Sequence, residues 1–252
     1  MMGKLVKKFN FLARANYNAK VELNNIANQI QSELLKVYNS NEVELDALLR
    51  RRYNFEKEKN KWDLLSKHIH LNHIKLLDCA FGSGRDLLIS KKLGFDTNGC
   101  ELCDKYYDDF ILNYPTMKKK VKLCDMRELD FPNEMFDVVR HNASFLHMPI
   151  ISKGLTIHKV LEETHRVLRP LGIVYVYTKA GEGFQAYDTG EGFGQRPFQL
   201  FSEKSLSIVL EECGFLVEFV DTLSRVRKIR TLNEGFKVVK INWIEAIARK
   251  KK

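Results

Sequence analysis

The 252-residue chain reads as an α/β protein with a mostly parallel sheet covered by helices on both faces. Three observations predict this. From residue 74 onward, short apolar runs alternate with helical patterns, the signature of strand–helix–strand units. Runs such as IKLLDCA (74–80) and GIVYVYTK (172–179) are apolar enough to be buried on both sides, as parallel strands are. Residues before 74 contain no proline and no glycine after Gly3, which suits a helical extension.

In that extension Ile26, Ile30, Leu34 and Val37 fall on one face of a 3.6-residue period. NSNE (39–42) breaks the stripe and offers a cap before VELDALLRRRY, and Trp62, Leu65 and Ile69 carry it on to about residue 70. Beyond it, IKLLDCA is the first strand and RDLLISKKLG (85–94) a helix closed by glycine. DTNGCEL (96–102) is a strand, 104–113 a short helix, VKLCD (121–125) a strand and FDVVRHNASF (136–145) another. TIHKVLEETHRVLRP (156–170) is a helix stopped by proline, ahead of GIVYVYTK. SEKSLSIVLEECG (202–214) is a helix capped by Ser202 and Gly214; FLVEFVDTL and FKVVKINWIEAIARK are closing strands.

With 44% hydrophobic residues the chain can bury a core, and no apolar run nears the roughly 20 residues that cross a bilayer. The basic start lacks the apolar h-region of a secretory signal, so a cytoplasmic protein is expected. Five cysteines, an odd number in apolar surroundings, read as reduced buried thiols. Cys100 and Cys103 form a C-x-x-C, but no second ligand pair follows, so no metal is expected. The net charge of +9 is uneven: residues 1–73 carry 13 basic against 8 acidic side chains, residues 222–252 carry 10 against 2, and the centre carries 18 against 22. Basic ends fit RNA or another anionic partner, or simply solvated helix surfaces.

The chemistry centres on LLDCAFGSGRD (76–86). A dinucleotide fingerprint needs a third glycine where Leu87 stands, and a P-loop needs Gly-Lys-Ser/Thr where Arg85-Asp86 follows Gly84. A nucleophile elbow needs a glycine at Phe81. What remains is an apolar run, an aspartate, G-S-G, and an acidic residue, Glu101, at the tip of the next strand, where it can accept hydrogen bonds from vicinal ribose hydroxyls.

With these residues the chain resembles the class I S-adenosylmethionine-dependent methyltransferases, over about residues 74–250. LLDCAFGSGRDLLISKKLGFDTNGCEL is similar to the first motif and its acidic strand. KLCDMRELDFPNEMFDVVRHNASFLHMP is similar to the adenine-side motif and fourth strand, and VLEETHRVLRPLGIVYVYTKAGEG to the block after it. The resemblance implies a Rossmann-like, seven-stranded, mostly parallel sheet over 74–252; residues 1–73, outside it, read from their own pattern as a helical extension or cap, whose role as substrate lid, dimer contact or partner dock stays open. The resemblance also implies S-adenosylmethionine as cofactor, held by Asp78, Ala80, Gly82, Gly84, Arg85, Glu101, Leu102, Asp125, Met126, Arg140 and Asn142. Within that set Gly82 and Gly84 admit the methionine moiety, Glu101 takes the ribose, and Asp125 and Met126 flank the adenine. Two departures stand out: Ala80 where the family usually has glycine, and Pro170-Leu171-Gly172 in place of Pro-Gly-Gly. The C-terminal pattern is also similar to a bacterial subgroup of small class I methyltransferases ending in a Trp-containing strand.

Methyl transfer is an in-line displacement, so alignment is the main requirement, and a base helps when the acceptor still carries a proton. His141 and His147 at the fourth strand's tip are the candidate bases, and Asn142 could orient the acceptor. Residues 178–201 interleave five glycines with Phe184, Tyr187 and Phe193, the composition of a mobile lid. From it Lys179, Glu182, Phe184, Gln195 and Arg196 are the candidate substrate contacts. Trp243 and Arg225 read as closing-strand features. The expected acceptor is a nitrogen or oxygen of a small molecule. The alternatives are RNA or protein held by the basic ends and, less favoured, a non-catalytic nucleotide- or nucleic-acid-binding protein.

Overall fold

The computed structural model describes residues 1–15, 20–40, 62–69, 73–151, 155–188, 194–231 and 235–252. Five strands run parallel: β1 (Lys75–Cys79), β2 (Asp96–Glu101), β3 (Val121–Leu123), β4 (Phe136–Asn142) and β5 (Leu168–Lys179). A separate antiparallel hairpin follows, β6 (Gly183–Asp188) and β7 (Gln195–Leu200). Two long strands, β8 (Phe215–Thr231) and β9 (Gly235–Lys250), complete a seven-stranded sheet of order β3-β2-β1-β4-β5-β9-β8, with β9 antiparallel to both neighbours. The strand order thus reverses between β1 and β4, which opens a crevice at the carboxyl ends of the parallel strands.

Seven helices are described: α1 (Met2–Ala15), α2 (Lys20–Ser40), α3 (Asp63–His68), α4 (Arg85–Lys92), α5 (Asp104–Asn113), α6 (Ile157–Val167) and α7 (Glu203–Glu212). Side chains alternate across a strand, and the apolar runs of β1, β4 and β5 use both faces. Leu77, Val139 and Val174 pack with Val160 and Leu161 of α6 and Leu206 and Leu210 of α7. Their neighbours Leu76, Val138 and Ile173 pack on the other face with Trp62, Leu65 of α3 and Ile89 of α4. Each fully buried leucine here is worth roughly 2 kcal/mol of transfer free energy, so both layers are strongly specified.

α7 is capped as expected: the Ser202 hydroxyl accepts from the Ser205 N–H, the Ser205 hydroxyl accepts from the Ser202 N–H, and Gly214 follows at φ +87°. The helix before β5 stops earlier than its proline. α6 ends at Val167, and Pro170 lies within β5, where the pairing with β4 is irregular between Phe136 and Val138. Irregular pairing of this kind tolerates a residue without an N–H.

On α2, Ile26, Ile30 and Leu34 are buried against Val6 and Phe9 of α1, and Val37 is half-buried. This pair sits on the β6–β7 hairpin, with the Phe9 and Phe184 rings 5.4 Å apart edge to face. The glycine-rich lid is therefore an ordered hairpin tied to the N-terminal helices wherever it is described, because Phe184 has a partner to bury against. The NSNE break partly, and VELDALLRRRY and the lid's Gly190, Gly192 and Phe193 wholly, lie outside the described residues. No helix among the described residues is long and apolar enough to cross a membrane.

Both departures from family glycines fall at left-handed positions, Ala80 at φ +56° and Leu171 at φ +64°. An L side chain there costs about 1–2 kcal/mol, which glycine avoids. Ala80→Gly and Leu171→Gly are each expected to raise stability by about 1 kcal/mol in urea unfolding, after glycine's greater entropy in the unfolded chain is set against the relief.

Candidate active site

A cavity of about 1000 Å³ occupies the crevice between β1 and β4 and extends along the carboxyl ends of β2 and β5 to β9. Its two ends differ in chemistry because the sheet supplies them from opposite sides of the switch in strand order.

The β1–β2 end is built on the glycine turn. Gly82, at φ +55°, has open space where a Cβ would stand, so the backbone presents itself bare to the cavity. Gly84 serves another purpose: a Cβ there would come within 2.1 Å of the Phe110 ring, so it lets α5 pack against the start of α4 and does not line the cavity. Glu101 is buried at the tip of β2, its Oε2 accepting from the Gly82 N–H at 2.8 Å and its Oε1 from the Leu102 and Cys103 N–H groups at 2.9 Å each. Burial raises its pKa, with these three donors pulling the other way. A carboxylate offers about four acceptor positions, so roughly one remains for a ligand hydroxyl. The sequence alone implied two ribose bonds; the strand-end turn has taken more of the carboxylate than that.

Behind the turn lies a buried ion network. The Arg140 guanidinium donates to Asp86 Oδ2 at 2.7 Å and approaches Asp78 Oδ1 at 3.4 Å. It lies between the rings of Trp62 and Tyr175, 4.4 and 5.2 Å from their centroids. Asn142 Nδ2 and Arg85 Nε also donate to Asp86. Burial would push Asp86 up, but Arg140 and Arg85 outweigh it and hold its carboxyl well below the usual range. Asp78 goes the other way: burial raises it from 3.8 to about 7, Arg140 opposing and the Asp86 charge adding to the rise.

Residues 77–176, which span the turn, Glu101, Arg140 and most of β5, match the family model of a methyltransferase domain. The chain carries a class I methyltransferase domain, and its cofactor is S-adenosylmethionine. No curated protein sequence matches the chain. Among solved structures it is similar to an S-adenosylmethionine-dependent methyltransferase of Methanosarcina mazei, at 19% identity and TM-score 0.57, over 75% of this chain and 97% of that one. It is also similar to the Burkholderia thailandensis 1,6-didemethyltoxoflavin-N1-methyltransferase, at 17% identity and TM-score 0.56, over 89% and 88%. The [4+2]-cyclase SpnF has the same fold at 17% identity and TM-score 0.51, over 76% and 81%. At such identities the likeness is one of fold.

The methyltransferase domain's own residues fit the cofactor. The open space at Gly82, the remaining acceptor position on Glu101 and the Asp78 carboxyl lie along one wall, suited to a methionine moiety, a ribose and an amino group in turn. Ala80, Arg85, Leu102, Met126, Arg140 and Asn142 also line the cavity. Asp125 does not: its carboxylate is taken by the Arg127 backbone N–H at 2.8 Å, the Arg127 guanidinium at 2.7 Å and the Gln31 amide at 3.2 Å. Gln31 reaches the cavity from α2 in its place.

In the free protein, Asp78 binds its proton more tightly folded than unfolded, so its contribution to stability falls as pH rises from about 4 to about 7. An ammonium beside it favours ionisation. S-adenosylhomocysteine is therefore expected to bind with proton release near neutrality and more tightly at about pH 8 than at about pH 6. Calorimetry in buffers of different ionisation enthalpy measures this; in Asp78→Asn the proton release is expected to vanish.

At the β5–β9 end the candidates separate. His141 is fully buried away from the cavity, its Nε2 2.8 Å from Thr164 Oγ1 and its Nδ1 3.3 Å from Ser144 Oγ. Burial lowers it to about 3, so it is a neutral core residue and not a base facing an acceptor. His147 does line the cavity. Its Nδ1 lies 2.7 Å from the Pro197 carbonyl, which can only accept, so that nitrogen carries the proton. Nε2, 3.4 Å from the Tyr38 hydroxyl, is left as the basic nitrogen. Lys179 and Arg196 line the same end; Glu182, Phe184 and Gln195 do not. Phe184 is buried against α1, and Glu182 and Gln195 are exposed.

Sequence reasoning passed over Trp243 and Arg225, which both line the cavity. β9 runs antiparallel beside β5 with Trp243 paired to Lys179, and β8 carries Arg225 alongside, so the closing strands form a wall. Tyr38, Tyr106 and Phe198 were missed as well. The stripe on α2 shows that the helix is amphipathic, but which strands it covers is a tertiary fact. Among the described residues no group of three or more His, Cys, Asp or Glu side chains is placed to hold a metal ion.

Proposed function

We propose that the protein transfers the methyl group of S-adenosylmethionine to a nitrogen or oxygen of a small molecule, with residues 1–73 acting as a cap over 74–252. The observation that carries this reading is the cover over the cavity: Leu34, Leu35 and Tyr38 from α2 and Arg196 and Phe198 from the β6–β7 hairpin line the same space as the glycine turn. A polymer would need an open groove there, whereas about 1000 Å³ is at the upper end of the roughly 300–1,000 Å³ typical of small-molecule sites. The Burkholderia relative of the fold, solved with its small acceptor and S-adenosylhomocysteine, supports the same scale of substrate.

In the step itself, an acceptor lone pair forms the new bond to the methyl carbon while the sulfonium S–C bond breaks, its electron pair staying on sulfur. His147 Nε2 takes the proton the acceptor loses, directly or through the Tyr38 hydroxyl. General-base assistance contributes about 10²- to 10⁴-fold. His147→Gln is accordingly expected to lower kcat by at least about 100-fold in single-turnover assays while S-adenosylhomocysteine affinity stays within about twofold. The reading as a whole is tested by tritiated-methyl transfer against cell extract separated into small-molecule, RNA and protein fractions. Label is expected in the small-molecule fraction; label only in RNA or protein would overturn it.

A further inference from the structure

The parts of S-adenosylmethionine follow one another in fixed order: amino acid, ribose, adenine. With Asp78 and Gly82 suited to the first and Glu101 to the second, the third falls where the cavity wall continues with Leu102, Cys103 and Met126. Asp125, which precedes Met126, has nothing left to offer the base. It accepts from the Arg127 backbone N–H at 2.8 Å, from Arg127 Nη2 at 2.7 Å and Nε at 3.1 Å, and from Gln31 Nε2 at 3.2 Å. These four donors fill the roughly four acceptor positions of a carboxylate.

Gln31 does line the cavity, half-buried on α2 and one turn before Leu34 and Leu35, which line it too. A carboxylate can only accept, so the Asp125 contact decides which end of the amide is nitrogen and turns Oε1 away from Asp125. Among the described residues Oε1 accepts no hydrogen bond, and Nε2 keeps a second N–H. The amide therefore presents an acceptor and a donor side by side. Adenine offers the complement, an amino group that donates beside a ring nitrogen that accepts; glutamine reads adenine in nucleic acids by this pairing. Turning the amide over would set its oxygen against the Asp125 carboxylate, so its sense is fixed. A second bond, from Arg127 Nη1 to Asn28 Oδ1 at 2.7 Å, holds α2 to the same turn.

From this we propose that Gln31 recognises the adenine of the cofactor, and that Asp125 is a positioning residue that fixes the sense of the Gln31 amide. The proposal rests on the assignment of S-adenosylmethionine to the crevice. It makes α2 part of the cofactor site and gives discrimination between 6-amino and 6-oxo purines to a side chain outside residues 77–176.

The experiment is a calorimetric titration of the full chain with S-adenosylhomocysteine and with S-inosylhomocysteine, whose 6-oxo group and protonated N1 replace the amino group and the bare ring nitrogen. The wild type is expected to bind S-adenosylhomocysteine about ten- to a hundredfold more tightly, since the amide oxygen would otherwise face the 6-oxo oxygen. Gln31→Met keeps the bulk and the helix propensity but neither polar group, and should bring the two affinities within about twofold; Gln31→Leu repeats the measurement should methionine disturb the fold. Asp125→Asn lets the amide turn over, so S-inosylhomocysteine is expected to bind more tightly than to the wild type, a gain that damage to the fold would not produce. Asn28→Ala loosens α2 without touching the amide and should keep the wild-type ratio. Unchanged melting temperatures show that the variants are folded. Equal binding of the two ligands by the wild type, a wild-type ratio in Gln31→Met or Gln31→Leu, or the same loss of ratio in Asn28→Ala would overturn the proposal. An unchanged ratio in Asp125→Asn would overturn its positioning role. If S-adenosylhomocysteine does not bind the wild type, it is the assignment of the cofactor to the crevice that has failed.

Discussion

Arg140→Met is expected to destabilise the protein by about 3–5 kcal/mol, the cost of leaving a buried charge without its partner. The arginine is fully buried, paired to Asp86 at 2.7 Å and enclosed by the Trp62 and Tyr175 rings. Methionine fills much of the space but strands the Asp86 carboxylate, which Arg85 from the rim of the cavity only partly satisfies. At about 2–4 °C per kcal/mol for a chain of this size, the melting temperature should fall by roughly 10 °C. Adding Asp86→Asn removes the stranded charge, so the double variant is expected to recover part of the loss. The sign with pH follows: the depressed Asp86 carboxyl contributes stability above its ordinary pKa, lost as pH falls through its folded value. In Arg140→Met that contribution is gone, and the acid limb of the stability profile should flatten.

Glu101→Ala is expected to weaken S-adenosylhomocysteine binding by at least about 100-fold, from the loss of one charge-assisted hydrogen bond together with the order of the turn. The carboxylate does two jobs. It is the acceptor we propose for the ligand, and it accepts from the backbone N–H groups of Gly82, Leu102 and Cys103. Alanine leaves three donors unsatisfied beside the cavity, and the glycine turn loses its tether to β2. Glu101→Gln keeps the shape but turns half of the acceptor into a donor, which faces at least one of those N–H groups. Its affinity should lie between those of the wild type and alanine.

Much of this arrangement was legible in the residues. Short apolar runs and their spacing give the parallel strands, because a strand buried on both faces leaves no polar alternation, as Leu76 and Leu77 illustrate by facing opposite layers. The glycine turn and Glu101 were legible because close backbone approach and a strand-tip carboxylate restrict residue type at fixed spacing. The acceptor end was not. His141 and His147 are indistinguishable in sequence, both near the tip of β4. The pleat sends one into the core against Thr164, while the short 3₁₀ turn Phe145–His147 brings the other to the cavity. Trp243 and Arg225 depend on the register of β9 against β5 and β8, and Tyr38 on the docking of α2. Each of these is set by contacts between residues far apart in the chain. In the 178–201 segment, the burial of Phe184 against Phe9 is likewise a contact between residues far apart in the chain, which composition does not show.

The central claim is that the crevice between β1 and β4 holds S-adenosylmethionine with Glu101 as its anchor. Calorimetric titration of the wild-type chain and of Glu101→Ala with S-adenosylhomocysteine tests it most directly. One molecule bound per chain, with affinity collapsing in the variant while the fold persists, is the predicted result. Absence of saturable binding to the wild type, or equal binding to both proteins, would contradict it.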